Sequence, residues 1–229
     1  MRWNTRESRS RARLGAEETT KAVGSSRVDL TEIAPGLWRW TAPHPDWRPG
    51  AEPGSPGDWE QNVGCVLYEA RDAAVFIDPL LPPDPETLWR RLDERVRRFD
   101  RVLVLTTIAW HRRSRAAFVE RYRATMSRAK RQLPAGVEAH TVRRAREVIY
   151  WLAEPRALVP GDLILGGPGG ELSLCPQPWL AYVPGGITVA EVAEALRPLL
   201  ELPVEHVLTS HGPPVLGVGR AELARALAH

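Results

Sequence analysis

The sequence predicts a four-layer αββα sandwich, an α/β fold in which two mixed β-sheets pack face to face with helices on their outer sides. Three observations lead there. Apolar runs of strand length occur as hairpins and also alternate with amphipathic helices, and they do so in both halves of the chain. Two stacked sheets accommodate both kinds of connection at once. The length, 229 residues, suits one domain of the larger kind, and 43% hydrophobic with 26% charged residues is the balance of a soluble globular protein.

The elements follow in order. Leu37-Trp38-Arg39-Trp40 alternates as a first strand. Residues 42–60 hold too many prolines and glycines for a helix or strand. A loop of that length in a compact domain is uncommon unless it works as a lid, and His44, Trp47 and Trp59 would suit a flap over a cleft. The alternative is that its tryptophans only pin it to the core. Residues 63–69 and 73–77 form a hairpin across Arg71-Asp72. Asp84 is the expected N-cap of a helix over residues 85–99, with Pro85 at its first position and Leu88, Leu92, Val96 and Phe99 on its apolar face. Residues 101–106 form a buried strand, and Ser114 opens a second helix. In the second half, residues 147–152 and 157–160 are strands. Thr188 and Glu191 make a capping box ahead of a helix, residues 206–210 are a strand, and 220–228 a last helix.

Charge is unevenly placed. Residues 1–27 carry seven basic and three acidic side chains, a net +4, which leaves the remainder at −1 of the total +3. Such a polar segment cannot bury enough surface to fold, so a disordered tail is expected, and a nucleic-acid role is disfavoured because the folded part has no basic excess. No apolar run approaches the ~20 residues of a membrane span. Cys65 and Cys175 are far apart and read as buried small hydrophobes. The expectation is a cytoplasmic protein with a small-molecule substrate or ligand, no membrane partner, and room for a homodimer.

Polar residues just beyond buried strands are where α/β folds keep their sites. Here these are Asp78, His111, Asp162 and His211, each held by an apolar run that fixes its direction. The glycine-rich run 166–170 lacks the lysine and helix of a phosphate loop, so it is a turn. Ser114 and Ser210 lack a nucleophile elbow. The nine tryptophans are scattered, and core packing is their expected role.

Taken in order, these segments resemble the metallo-β-lactamase-fold superfamily. Asn62-Val63-Gly64-Cys65-Val66-Leu67 with Val75-Phe76-Ile77-Asp78 is similar to its opening strands, Leu158-Val159-Pro160-Gly161-Asp162 to its strand ending in Gly-Asp, and Val207-Leu208-Thr209-Ser210-His211-Gly212 to its final strand ending in His-Gly. The family's His-x-His-x-Asp-His motif is largely lost: the chain reads Thr107-Ile108-Ala109-Trp110-His111-Arg112. With the first histidine pair replaced, a two-metal centre is not expected. The resemblance implies that at most one divalent ion, Zn or Fe, is held by His111, Asp162 and His211. His140 is an additional candidate, and Asp162 and His111 are the catalytic candidates. Arg112 is expected to face the substrate with His44, Trp47 and Trp59, or to pair with Asp162 in place of an ion, since arginines beside His111 oppose a cation. A metal-free binding protein is the alternative.

Overall fold

The computed structural model describes residues 29–126 and 133–228; the basic segment 1–27 lies outside them. The first sheet contains β1 (Thr31–Ala34), β2 (Leu37–Pro43), β3 (Asn62–Glu69), β4 (Ala74–Ile77), β5 (Val102–Leu105) and β6 (Thr125–Met126), in that order. It is an antiparallel meander as far as β4, then parallel from β4 to β6. The second sheet runs β12 (His206–Val207), β9 (Ala157–Val159), β8 (Glu147–Leu152), β7 (Val137–Val142), with β12 parallel to β9. A separate hairpin joins β10 (Ile164–Gly166) to β11 (Leu172–Leu174).

Strand alternation sorts the side chains into layers. Leu37, Val66, Tyr68, Val75, Ile77 and Leu103 of the first sheet meet Tyr150, Leu152 and Val159 of the second in a core between the sheets. Trp38, Trp40, Cys65, Leu67 and Phe76 point the other way, under α1 (Glu86–Val96) and α2 (Arg115–Tyr122). On the far side, Ile149, Trp151 and Leu158 pack under α3 (Val189–Leu196) and α4 (Gly219–Ala226). The expected αββα order is therefore the observed one.

Several boundaries differ from expectation. The first strand is a bulged hairpin, β1–β2, turned at Gly36 with φ +73°, a conformation that glycine adopts without steric cost. The first helix ends at Val96, where Arg97 N–H closes on the Asp93 carbonyl, and a further turn at residue 99 brings Phe99 to the core. Asp84 does not cap it: Pro85 occupies the N-cap position in αR geometry, without a side-chain hydrogen bond. The Thr188–Glu191 capping box is present with both of its bonds. No helix among the described residues is long and apolar enough to cross a membrane.

Candidate metal centre

β4, β5, β9 and β12 end at one edge of the sandwich, where backbone bonds tie the sheets together. Gly64 N–H donates to the Ser210 carbonyl at 2.7 Å, and Val148 N–H to that of Thr107 at 2.8 Å. Residues just past these strand ends converge here. His111 Nε2 lies 3.0 Å and His211 Nε2 3.2 Å from Asp162 Oδ1. Ligand atoms from all three residues fall within 4.8 Å of one another, and they form the one such group among the described residues.

Each member is held from behind. Asp78, at φ +47°, turns its carboxylate back under the site: Oδ1 accepts from Thr107 N–H at 2.9 Å, and Oδ2 takes the Thr107 hydroxyl. Asp78 Oδ2 is also 2.9 Å from His111 Nδ1, so that nitrogen carries a proton and Nε2 is directed at Asp162. Thr107 stands where the resembled family has a histidine, and it serves this support instead. Asp162 is fixed by its neighbours. Its Oδ2 accepts from the Trp110 indole N–H at 2.8 Å, and its backbone N–H and that of Leu163 donate to Glu147 Oε2 at 2.8 and 3.1 Å. Gly161 N–H donates to Glu147 Oε1 at 2.9 Å, and a Cβ at Gly161 would lie 2.8 Å from the Thr107 hydroxyl, so only glycine fits.

These contacts set the charges. Burial pushes the Glu147 carboxyl up, and the nearby Asp162 charge adds to this, reaching about 8 against the pull of the Gly161 and Asp162 N–H groups. Burial alone would push His111 down; the Asp162 and Asp78 carboxylates outweigh both that and Arg113, holding it up at about 9. Burial would raise Asp162, but the His111 and His211 imidazoles hold it well below the usual carboxylate range.

The donor set fits one divalent ion. Asp162 Oδ1 is buried and, despite two imidazoles at ion-pair distance, completes no hydrogen bond in proper alignment. Bonds of ~2.1 Å at tetrahedral angles put ligand atoms ~3.4 Å apart, so small shifts open the space. Two neutral imidazoles and a carboxylate suit Zn(II) or Fe(II), and binding would displace the Nε2 proton of His111.

A cavity of about 390 Å³ opens over this group, walled by Trp59, Trp110, Trp179 and Tyr182. Trp59 and Trp179 set their rings edge-on to His211, at centroid distances of 5.4 and 5.5 Å. Trp110 packs against Tyr182 at 4.3 Å. Residues 44–61 form no regular element and supply His44, Asp46, Pro56 and Trp59 to the cavity. The Trp179 indole N–H fastens this loop by donating to the Ser55 carbonyl at 2.7 Å.

The structure unites His111, Asp162 and His211 and brings His44 and Trp59 to the same cavity. Other expected site residues lie elsewhere. Trp47 pins the loop, its indole N–H on the Trp59 carbonyl at 2.7 Å, and it lines a different hollow. His140 sits on β7 opposite Ile149, 3.6 Å from the Glu138 carboxylate and outside the group. Arg112 is exposed and bonded to the Ala109 carbonyl, so it neither faces the cavity nor pairs with Asp162. The arginine at the cavity is Arg113, at φ +38°; the left-handed backbone reverses its direction relative to Arg112. Core packing does not account for Trp110, 46% exposed, or for Trp179 at the cavity wall. Glu147, Trp110 and Trp179 carried no signal of their own that would have marked them.

No protein-family model and no curated protein matches the chain. Solved structures do, all of one fold. The chain is similar to a metallo-β-lactamase from Hirschia baltica, at 12% identity over 87% of this chain and 97% of that one, TM-score 0.53. It is also similar to one from Erythrobacter litoralis in its mono-zinc form, at 15% identity, 89% and 96% coverage, and TM-score 0.54. A third, from Pseudomonas aeruginosa and likewise in a mono-zinc form, gives 16%, 88% and 95%, and 0.52. The protein therefore has the metallo-β-lactamase fold, spanning nearly the full length of these relatives.

Proposed function

We propose that the protein is a metallo-β-lactamase-fold hydrolase of a small-molecule substrate, using one divalent ion held by His111, Asp162 and His211. The observation that carries this is Asp162 Oδ1: buried, without an aligned hydrogen bond, and faced by two imidazole nitrogens at 3.0 and 3.2 Å. The mono-zinc forms among the similar structures agree with a single ion on this fold. When bound, such an ion supplies Lewis acidity that polarises a substrate oxygen and acidifies water.

The chain's own groups prepare that chemistry. Asp78 and Thr107 orient His111, Glu147 fixes the Asp162 turn, and Trp110 occupies the second oxygen of Asp162. The loop carrying His44 and Trp59 acts as a lid that excludes water. Burial, and then Arg113, push the pKa of His44 down, favouring the neutral ring. Its Nδ1 accepts from Asp46 N–H at 3.2 Å, which leaves Nε2 as its donor.

One observation favours a second reading. The His111 imidazolium, held between Asp78 and Asp162, itself offsets part of the site's negative charge, as a metal-free binding protein would require. Thermal melts with chelator or added metal separate the two. Ligand at 100-fold over Kd stabilises by ~2.7 kcal/mol, or roughly 5–10 °C at this size. Zn(II) or Fe(II) should raise the melting temperature of the wild type by that order and leave His211→Ala unmoved. The same ion should support hydrolysis in a panel of thioester, lactone and phosphodiester probes. Identical melts of both proteins with and without metal would favour the metal-free reading.

A further inference from the structure

The cavity has one feature that the metal group does not explain, the charge of Arg113. Its guanidinium donates from Nη1 to the carbonyls of Gly64 at 2.7 Å and Asp78 at 2.9 Å, with Cys65 Sγ at 3.9 Å, and from Nη2 to the Ser210 hydroxyl at 2.5 Å. None of these acceptors is a carboxylate. No carboxylate among the described residues comes within ion-pair distance of Arg113, whereas Asp162 is already engaged by two histidines. Its Nε is buried without a partner. Two of its five N–H groups are thus unspent, on Nε and Nη2, the two nitrogens of one guanidinium edge. Taking a cation out of water without a counter-ion is costly, and a positive-φ residue costs more, so the arrangement persists only where something overdetermines it.

The walls around this charge are flat and apolar: Trp59, Trp110, Trp179 and Tyr182. Aromatic walls alone would suit either a neutral aryl group or a quaternary cation. Arg113 decides between them. Asp78 is turned to Thr107 and His111, and Asp162 is engaged by two histidines, so the charge Arg113 brings to the wall repels a cation and attracts an anion. Asp46, the other carboxylate lining the cavity, is exposed and screened by water. The positive field also appears in His44, whose pKa is depressed by burial first and by Arg113 next.

We infer that the cavity binds a small aromatic carboxylate, its ring between the indoles and its carboxylate drawn to Arg113. This deepens the proposed function, and rests on it, in assigning the substrate class: a hydrolysable derivative of an aromatic acid, whose product is the carboxylate. A guanidinium pairs well with a carboxylate, and 390 Å³ accommodates a bicyclic ring.

The test uses the full chain treated with EDTA, so that binding is measured without metal. Calorimetric titration compares three ligands of one shape: 1-naphthoate, 1-naphthalenemethanol and 1-naphthylmethylammonium. The carboxylate should bind at least tenfold more tightly than the alcohol, with the ammonium weakest, and raising salt should narrow the gap. Arg113→Met should erase the preference and Arg113→Lys restore part of it. Trp179→Ala should weaken carboxylate and alcohol in parallel. If Arg113→Met fails to fold, the wild-type ranking and its salt dependence decide. Equal binding of the three ligands, absence of binding by all of them, or a preference retained without Arg113 overturns the inference. Metal content is measured separately, so a failure here leaves the metal reading standing, and loss of metal leaves this ranking interpretable.

Discussion

Trp110 illustrates how single residues define this site. It lies in a turn with no periodic signal, in the middle of the segment that replaces the resembled family's metal motif, and its indole N–H donates to Asp162 Oδ2 at 2.8 Å. Only Oδ1 is then left to face His111 and His211, which suits one ion rather than two. Partners that orient a metal ligand are typically worth 10–100-fold in affinity. Trp110→Phe keeps the ring against Tyr182 but removes the donor. It should weaken Zn(II) binding about tenfold in a chelator-competition titration, and an unchanged Kd would show that the indole only packs. His111, Asp162 and His211 were legible in the sequence because each follows a buried run. Arg113 was not legible, because the backbone at residue 113 enters the left-handed region and gives the cavity Arg113 in place of Arg112. Glu147 was hidden because it opens a strand, and its role depends on three N–H groups 14 to 16 residues away.

At the scale of elements, the strands were legible and their limits less so. Apolar runs joined by turn residues identified the β3–β4 hairpin and the β8–β9 pair. The end of α1 and the split of β1 from β2 depend on Phe99 reaching the core and on the Gly36 turn, which periodicity does not encode. The capping box of α3 was fully legible, since Thr188 and Glu191 act locally, and it leads to a pH dependence. Glu191 accepts from Thr188 N–H and pairs with Arg144, which lowers its carboxyl to about 2. A group depressed in the folded state stabilises fully above its unfolded value, ~4.5. That stabilisation is lost as pH falls from there through about 2. Denaturant titrations at pH 7 and pH 3 should show Glu191→Gln destabilising at the higher pH and clearly less so at the lower. An equal effect at both would mean that the carboxylate charge contributes nothing. Thr188→Ala should cost about 1 kcal/mol, as N-cap losses generally do.

The whole molecule gives these parts their function. Two sheets meet through a core that includes Ile77, Leu103, Tyr150 and Val159, and this stacking brings strand ends from both sheets to one edge. The order of the segments pointed to the layers and, with the family resemblance, to the three residues that the fold brings together. It did not reveal the aromatic cavity, because Trp59, Trp110 and Trp179 come from a long loop, a turn and a 3-10 segment that only the tertiary fold assembles. The central claim is that this edge holds one ion. Elemental analysis of tag-free protein, reconstituted with Zn(II) or Fe(II) and freed of excess, tests it most directly. The account predicts close to one equivalent of metal per chain, falling below about a tenth in Asp162→Asn. Less than a tenth of an equivalent in the wild type, or two equivalents that survive the Asp162 substitution, would contradict it.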